Sequence, residues 1–303
     1  MTTLEGRRIL VTGPAGQVAL PLVRALATDN EVIGIARFRD PAVRADLEQR
    51  GVRCIPVDLA KGDLDHVPDD VDYVLNLAVV KSNRWEVDLR GNAEAAGLLM
   101  AHCHRATAFL HCSSTGVYQP AGAHQLTEDD PLGDNHRVMM ETYSIAKIAA
   151  EAVVRTEARQ VGLPTTIARL NVPYGDNGGW PAFHLECLLA GAPIPVHPDR
   201  PNLFNPIHED DILATLPALL DAASVPATIV NWGGDQQVAL EDWVAELAAL
   251  VGRDADLVET DQTIGGVTTD NTRRLALTGP TTVDWHDGFA RMVRALHPEA
   301  VAT

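Results

Sequence analysis

The chain has 303 residues, 46% of them hydrophobic and 21% charged, which is the make-up of an ordinary folded protein of one large or two modest domains. Its 41 acidic and 24 basic side chains leave a formal net charge of −17, which argues against nucleic acid or an anionic membrane as a partner. No apolar run reaches the ~20 residues of a membrane span, and residues 1–8 lack the core of a secretory signal, so a cytoplasmic protein is expected.

Residues 8–12, Arg-Ile-Leu-Val-Thr, form a short apolar run that stops at Gly13 and reads as a buried strand. A helical pattern runs from Gln17 to Ala27, followed by a strand at 31–36, a helix near 41–50, and strands at 53–57 and 71–77. A helix at 86–104, a strand at 107–112, a helix at 140–161 and a strand at 164–170 continue the alternation. Strands alternating with helices of this length predict an α/β fold, a doubly wound parallel sheet with helices on both faces. The texture changes at Gly175–Phe204, where Pro193, Pro195, Pro198 and Pro201 are expected to break any regular element. A helix at 210–222, a strand at 227–232, an amphipathic helix at 240–251 and a final helix at 284–296 complete the pattern.

The predicted organisation is a dinucleotide-binding domain over 1–174, a cap segment over 175–204, a return to the first domain over 205–235 and a C-terminal substrate cap over 236–303. Cys54, Cys103, Cys112 and Cys187 have no paired spacing and read as reduced thiols. His102, Cys103, His104, His111 and Cys112 lack the spacing of a zinc clip, so no metal site is expected.

The segment Thr12-Gly13-Pro14-Ala15-Gly16-Gln17-Val18-Ala19 lies where the first strand turns into the first helix. Gly13 permits a tight turn, Gly16 lets backbone approach a pyrophosphate at the helix N-terminus, and Ala19 takes the third small position. The second strand ends Ile35-Ala36-Arg37-Phe38-Arg39. Ala36 cannot accept a hydrogen bond from a ribose 2′-hydroxyl, whereas Arg37 or Arg39 can pair with a 2′-phosphate, so NADP is preferred over NAD. Asp58-Leu59, after the third strand, either edges the adenine or is an ordinary turn.

Tyr143 and Lys147 stand four residues apart in a predicted helix, on one face and one turn apart. A phenol near pKa 10 is a poor base at neutral pH, but a nearby cation favours its phenolate. Such a pair can move a proton at a substrate hydroxyl or carbonyl, the proton half of a hydride transfer.

The glycine loop, Asp58, Asn76-Leu77-Ala78, Ser113-Ser114-Thr115-Gly116-Val117-Tyr118, Tyr143-x-x-x-Lys147 and Arg169-Leu170-Asn171-Val172-Pro173-Tyr174-Gly175 occur in that order. Together with Asn205-Pro206-Ile207-His208-Glu209-Asp210-Asp211 and Asn231-Trp232-Gly233-Gly234 they resemble the extended short-chain dehydrogenase/reductase family, the NAD(P)-dependent epimerase/dehydratase group. The resemblance implies Tyr143 as acid/base, Lys147 as the residue that binds the nicotinamide ribose and lowers the tyrosine pKa, and Ser114 as the hydroxyl that holds the reacting oxygen. Ser113 and Thr115 are the alternatives to Ser114. Cofactor binding is carried over to Gly13, Ala15, Gly16, Gln17 and Val18 of the loop, and to Asp58 and Leu59, to which the charge argument above adds Arg37. Leu77, Ala78, Asn171 and Pro173 join Tyr143 and Lys147 at the same cofactor, with Pro173 near the nicotinamide amide. The helices at 86–104 and around Tyr143 imply a homodimer through four helices.

Departures from that pattern narrow the substrate. Phe204 stands where nucleotide-sugar epimerases carry a diphosphate-binding arginine, and 262–266 lack a second one, so Arg200 would have to substitute. Thr115-Gly116 replaces the Asp-Glu pair of sugar 4,6-dehydratases, and Asp88 stands where Asn is usual, which puts a local backbone tie in question. The expected reaction is hydride transfer to or from a secondary alcohol or carbonyl of a small organic molecule. An epimerase with retained cofactor and a non-catalytic cofactor-binding protein are the alternatives. Trp180, Phe183 and Phe204 are candidates to line the substrate pocket. Lys81, Thr115 and His184 are candidates for its polar contacts. A place in the core of the cap, or on a solvated loop, is the alternative for each.

Overall fold

A computed structural model describes residues 4–301. The chain opens with β1 (Arg8–Thr12), α1 (Ala19–Leu26), β2 (Glu31–Ala36), α2 (Pro41–Gln49), β3 (Arg53–Pro56) and β4 (Tyr73–Asn76). A π-helical turn at 90–94 joins α3 (Trp85–Leu89) to α4 (Ala95–His102), and β5 (Ala108–Ser114), α5 (Tyr143–Val161) and β6 (Thr165–Leu170) follow. Next come β7 (Val172–Gly175), β8 (Gly178–Gly179), α6 (Trp180–Ala190), β9 (Ile194–Val196), β10 (Leu203–Phe204), β11 (Pro206–His208) and α7 (Glu209–Asp221). The last elements are β12 (Thr228–Trp232), β13 (Val238–Ala239), α8 (Leu240–Val251), β14 (Leu257–Glu259), α9 (Thr272–Thr278) and α10 (Trp285–Leu296).

Seven strands form one parallel sheet in the order β12-β6-β5-β4-β1-β2-β3, flanked by helices in a Rossmann α/β fold. Leu10 of β1 lies between Ile33 of β2 and Val74 of β4. Strand order therefore reverses between β1 and β4, and ligands of such sheets bind beyond the strand C-termini at that reversal. Every residue of β5 is buried, as expected for a strand covered on both faces. Leu10, Ile33, Val74, Leu99, Phe109 and Ile167 belong to the apolar cluster beneath the sheet.

Contacts divide the chain into two compact units. The first holds the described residues up to Ser114, then Ile145–Ala168 and Thr215–Val230. The second holds Thr115–Ser144, Arg169–Ala214 and the described residues from Asn231 onward. Within the second unit α6 packs on α8, and α10 packs on both. Trp243, Phe289 and Tyr174 are fully buried there, with Tyr174 edge-on to Phe289 at 4.8 Å.

The stretch Gly175–Phe204, expected to hold no regular element, contains α6 and three short strands. Pro181 falls in the first turn of α6, where its missing N–H costs nothing, and Gly191 closes the helix in the left-handed conformation. Pro195 sits inside β9, a strand whose paired neighbour is β14.

Candidate active site

The turn after β1 is shaped by two constraints on one residue. Gly13 has φ of +64°, and a Cβ there would lie 3.1 Å from the Ala78 Cα. Any larger side chain would be strained and would push the ends of β1 and β4 apart. Gly34 plays the matching part in β2, since a Cβ there would meet Pro14 at 2.8 Å. Ala15 and Gly16 are exposed and Gln17 and Val18 half-buried, all ahead of α1. The loop thus presents its backbone where the resemblance places a pyrophosphate.

A chain of polar side chains links the ends of β1 and β4 to the middle of β5. The Ala78 amide donates to the Thr12 hydroxyl at 2.8 Å, which donates to Asn76 Oδ1 at 2.9 Å. The Asn76 amide nitrogen then faces His111 Nδ1 at 3.0 Å, so that nitrogen accepts and the neutral ring carries its proton on Nε2. Burial, reinforced by the Lys147 charge, holds His111 well below the usual histidine range. Thr12 and Asn76 fall in the motifs quoted above and His111 among the histidines and cysteines weighed for zinc, but their spacing does not reveal that the three form one hydrogen-bonded chain.

At the end of β2, Arg37 and Arg39 are exposed and Phe38 has a φ of 44°, the left-handed region. Among the described residues no carboxylate pairs with either arginine. Asp58 caps the short turn at 59–61 by accepting from the Ala60 amide at 3.3 Å, while Leu59 packs on the core cluster. Asp58 thus makes the turn contact, one of the two roles open to it.

Beyond β4, Leu77 and Ala78 are half-buried and Lys81 is exposed. The tie placed in question by Asp88 is made, with the carboxylate as acceptor. Asp88 is fully buried and accepts from the Ser82 amide at 3.0 Å and from its hydroxyl at 2.6 Å. Asn92, in the π-helical turn, accepts from the Val80 amide and donates to the Val80 carbonyl, both at 2.9 Å. Asn92 was not singled out from sequence, because no spacing rule signals a π-turn.

Ser113 and Ser114 end β5 on opposite faces. The Ser113 hydroxyl donates to buried Glu151 of α5 at 2.5 Å, so it is committed, and Ser114 and Thr115 remain the candidates. Tyr143 is buried and begins α5, and Lys147 follows one turn later. Lys147 is 4% exposed and donates to the Cys112 carbonyl at 2.8 Å. Burial lowers its pKa below that of an ordinary lysine, and the nearby Lys81 adds to this while Glu151 opposes it.

In the second unit, Asn171 spends both ends of its side chain on the protein. It donates to the Val267 carbonyl at 3.0 Å and accepts from the Asn205 amide at 3.1 Å, ahead of a half-buried Pro173. Arg169 donates to Tyr118 Oη at 3.0 Å, and that hydroxyl donates to Asn231 Oδ1 at 2.5 Å. Buried Thr115 gives its carbonyl to Asn135 Nδ2 at 3.2 Å.

Trp180, His184, Phe204 and Trp243 form one aromatic cluster, with ring centroids 5.1 to 5.6 Å apart. His184 is 1% exposed and accepts from the Trp243 indole at 3.0 Å, and burial brings its pKa to about 4. Trp180 keeps partial exposure and Phe183 is exposed. Arg200 lies 3.7 Å from both Glu241 and Glu259, so acidic groups already face its guanidinium.

Similar proteins carry the same architecture. The Bacillus cereus UDP-glucuronic acid 4-epimerase solved with UDP-glucuronic acid and NAD superposes with a TM-score of 0.81 at 22% identity, covering 95% of this chain and 98% of that one. DesIV, a dTDP-glucose 4,6-dehydratase from Streptomyces venezuelae solved with NAD bound, gives 0.83 at 22% identity, covering 96% and 97%. An Arabidopsis thaliana trifunctional UDP-glucose 4,6-dehydratase, 3,5-epimerase and reductase is 23% identical over 84% of this chain. This chain spans 41% of the length of that relative. The 2'-dehydrokanamycin reductase of Streptomyces kanamyceticus is 28% identical over 70% of this chain and 58% of its own length. Residues 9–231 match the NAD dependent epimerase/dehydratase family, a stretch running from the strand before the glycine loop through the Tyr-Lys helix to β12. The chain belongs to that family of NAD-dependent enzymes.

Proposed function

We propose that the chain is an NAD(P)-dependent oxidoreductase acting on a secondary alcohol or carbonyl of a small organic substrate that carries no diphosphate. The observation that carries this reading is the desolvated Lys147 ammonium, fixed on the Cys112 carbonyl one helical turn from Tyr143. When bound, the nicotinamide supplies the hydride donor or acceptor. Tyr143 gives or takes the proton at the substrate oxygen, Lys147 favours the phenolate, and Ser114 holds the reacting oxygen by a hydrogen bond. The turn at Gly13 fits a dinucleotide, since it brings backbone close to Ala78 where the strand order reverses. Gly16, Gln17 and Val18 would line the pyrophosphate, and Asn171 and Pro173 the nicotinamide side.

NADP is the preferred cofactor in this reading. Its support is the exposed Arg37 and Arg39 pair after Ala36, which offers charge to a 2′-phosphate and no acid to a 2′-hydroxyl. The NAD bound in the structural neighbours supports the dinucleotide class and leaves that preference to measurement.

The absence of a diphosphate rests on Phe204, buried in the aromatic cluster, and on Arg200, faced by two glutamates. A doubly anionic group would find no free bidentate partner at either place. The kinship with a reductase named for 2'-dehydrokanamycin, and not for a sugar nucleotide, is in line with this. Trp180, Thr115 and Lys81 are the substrate contacts we assign, with His184 packed against Trp180 at 5.2 Å.

We further assign a homodimer through α3, α4 and α5, on the exposure of Trp85, Leu98 and Ile145. A cytoplasmic location goes with this reading, and no helix among the described residues is long and apolar enough to cross a membrane.

The test is Tyr143→Phe in a purified, folded protein assayed with NADPH and a panel of ketones, diketones and amino-sugar ketones. A loss of at least about 100-fold in turnover is expected. Full turnover in the variant would refute the role of the phenol. The family supports a second reading, an epimerase in which the same residues oxidise and re-reduce one substrate. Net change in cofactor absorbance during turnover marks the reductase, and its absence marks the epimerase.

A further inference from the structure

We propose that His136 is a positioning residue for Tyr143, held by Asn135 so that its ring sets the orientation of the phenol. This rests on the acid/base role given to Tyr143 above. The chain of contacts lies wholly within the second unit.

Asn135 is buried, and its Nδ2 donates to the Thr115 carbonyl at 3.2 Å. That bond fixes which way the amide faces and leaves Oδ1 toward His136 Nδ1, with which it makes a short hydrogen bond. An amide oxygen only accepts, so Nδ1 must carry a proton, and the neutral ring has one tautomer and one orientation. The ring so fixed lies 5.4 Å from the Tyr143 ring at 40°, inside the range of a packed aromatic pair.

The backbone makes the same connection. The His136 carbonyl accepts from the amides of Met139 and Met140 at 3.0 and 2.8 Å, and the Met140 carbonyl accepts from the Tyr143 amide at 3.1 Å. His136 therefore fixes the entry to α5 through its carbonyl and the phenol through its ring. The anchor of the whole arrangement is the carbonyl of Thr115, the residue that follows Ser114 in the chain.

The readout is the ionisation of Tyr143, followed by NMR in protein labelled with 13C at tyrosine Cζ, with its peak assigned by its loss in Tyr143→Phe. The variants are His136→Ala, which removes ring and amide bond together, His136→Phe, which keeps the ring alone, and Asn135→Leu, which removes the anchor. In His136→Ala and Asn135→Leu the Tyr143 midpoint should rise by at least half a pH unit. His136→Phe should recover part of that shift, and the peaks of Tyr73, Tyr118 and Tyr174 should stay in place. A Tyr143 titration that overlays the wild type in both His136→Ala and Asn135→Leu would overturn the proposal. If His136→Ala fails to fold, Asn135→Leu and His136→Phe decide it, and wild-type behaviour in both sinks it. Failure of the parent reading shows separately, as a Tyr143 midpoint that does not move in Lys147→Met.

Discussion

The Lys147 ammonium donates to the Cys112 carbonyl at 2.8 Å, and one turn further along the same helix Glu151 accepts from the Ser113 hydroxyl. The two contacts fasten α5 to the last residues of β5 by opposite polarities. The cation is therefore held by a backbone carbonyl, and the neighbouring carboxylate accepts from a hydroxyl while its charge favours the cation.

Lys147→Met tests this arrangement. Removing a buried charge relieves its desolvation, while leaving the Cys112 carbonyl without a donor costs about 1–3 kcal/mol, so the two effects largely offset. Stability by thermal melting should change by only a few degrees, and turnover should fall by roughly 100-fold or more. A melt lowered by tens of degrees, or unchanged turnover, would contradict the assignment.

Cofactor choice is tested at the end of β2. Replacing both Arg37 and Arg39 by Ser should weaken NADPH by about tenfold or more, equivalent to roughly 1.4 kcal/mol, and leave NADH within about twofold. Fluorescence titration of both nucleotides reads the difference. Equal weakening of the two would mean that the arginines do not meet the 2′-phosphate.

Asn92→Ala removes both halves of the tie to Val80. It leaves a backbone amide and carbonyl in a half-buried loop without their partner, at a cost of about 2–3 kcal/mol. Urea unfolding should show a lower midpoint with little change in slope. A midpoint within error of the wild type would show that water replaces the side chain.

Acid should destabilise the fold through His184. In the unfolded chain this group takes up a proton near pH 6.5, whereas in the folded protein it does so only near 4. Between those values the unfolded state binds more protons, so stability falls as the pH falls. The loss amounts to roughly 3 kcal/mol when fully expressed. His111 and His208, also lowered by burial, add to the loss in the same direction. His184→Gln can still accept from Trp243 but does not titrate, so its urea midpoint should fall less between pH 6.5 and 4.5. Parallel slopes for the two proteins would remove His184 from the account.

Local chemistry made part of this molecule readable from its residues. Gly13 was readable because a positive φ and a close backbone approach admit only glycine. The Tyr143–Lys147 pair was readable because a four-residue spacing has one meaning on a helix. The alternation of strands and helices gave the sheet, since the strands carry short apolar centres such as Ile-Leu-Val in β1 and Val-Leu in β4. By contrast α6, Trp-Pro-Ala-Phe-His-Leu-Glu-Cys-Leu-Leu-Ala, is apolar nearly all round and shows no helical period to find. The choice between Ser113 and Ser114 depended on which face of β5 meets Glu151, which no spacing encodes. The His136 ring and the Asn171 side chain owe their settings to Asn135 and Asn205, and each of those pairs is joined by the fold and not by a motif.

Asn205 Oδ1 receives both the Thr268 hydroxyl at 3.0 Å and the Thr269 amide at 2.8 Å, while its Nδ2 reaches the Gly234 carbonyl at 3.2 Å. One planar group thus acts as a peg for two stretches of chain that share no helix or strand. Deamidation of the Asn205 side chain to a carboxylate would turn the Gly234-facing donor into a negatively charged acceptor and set one oxygen against another. Pro206 follows directly and has no N–H with which to close a succinimide on that side chain, so the peg is shielded from the usual route of ageing, and the Gly234 carbonyl keeps a second donor in Asn271 Nδ2 at 2.7 Å.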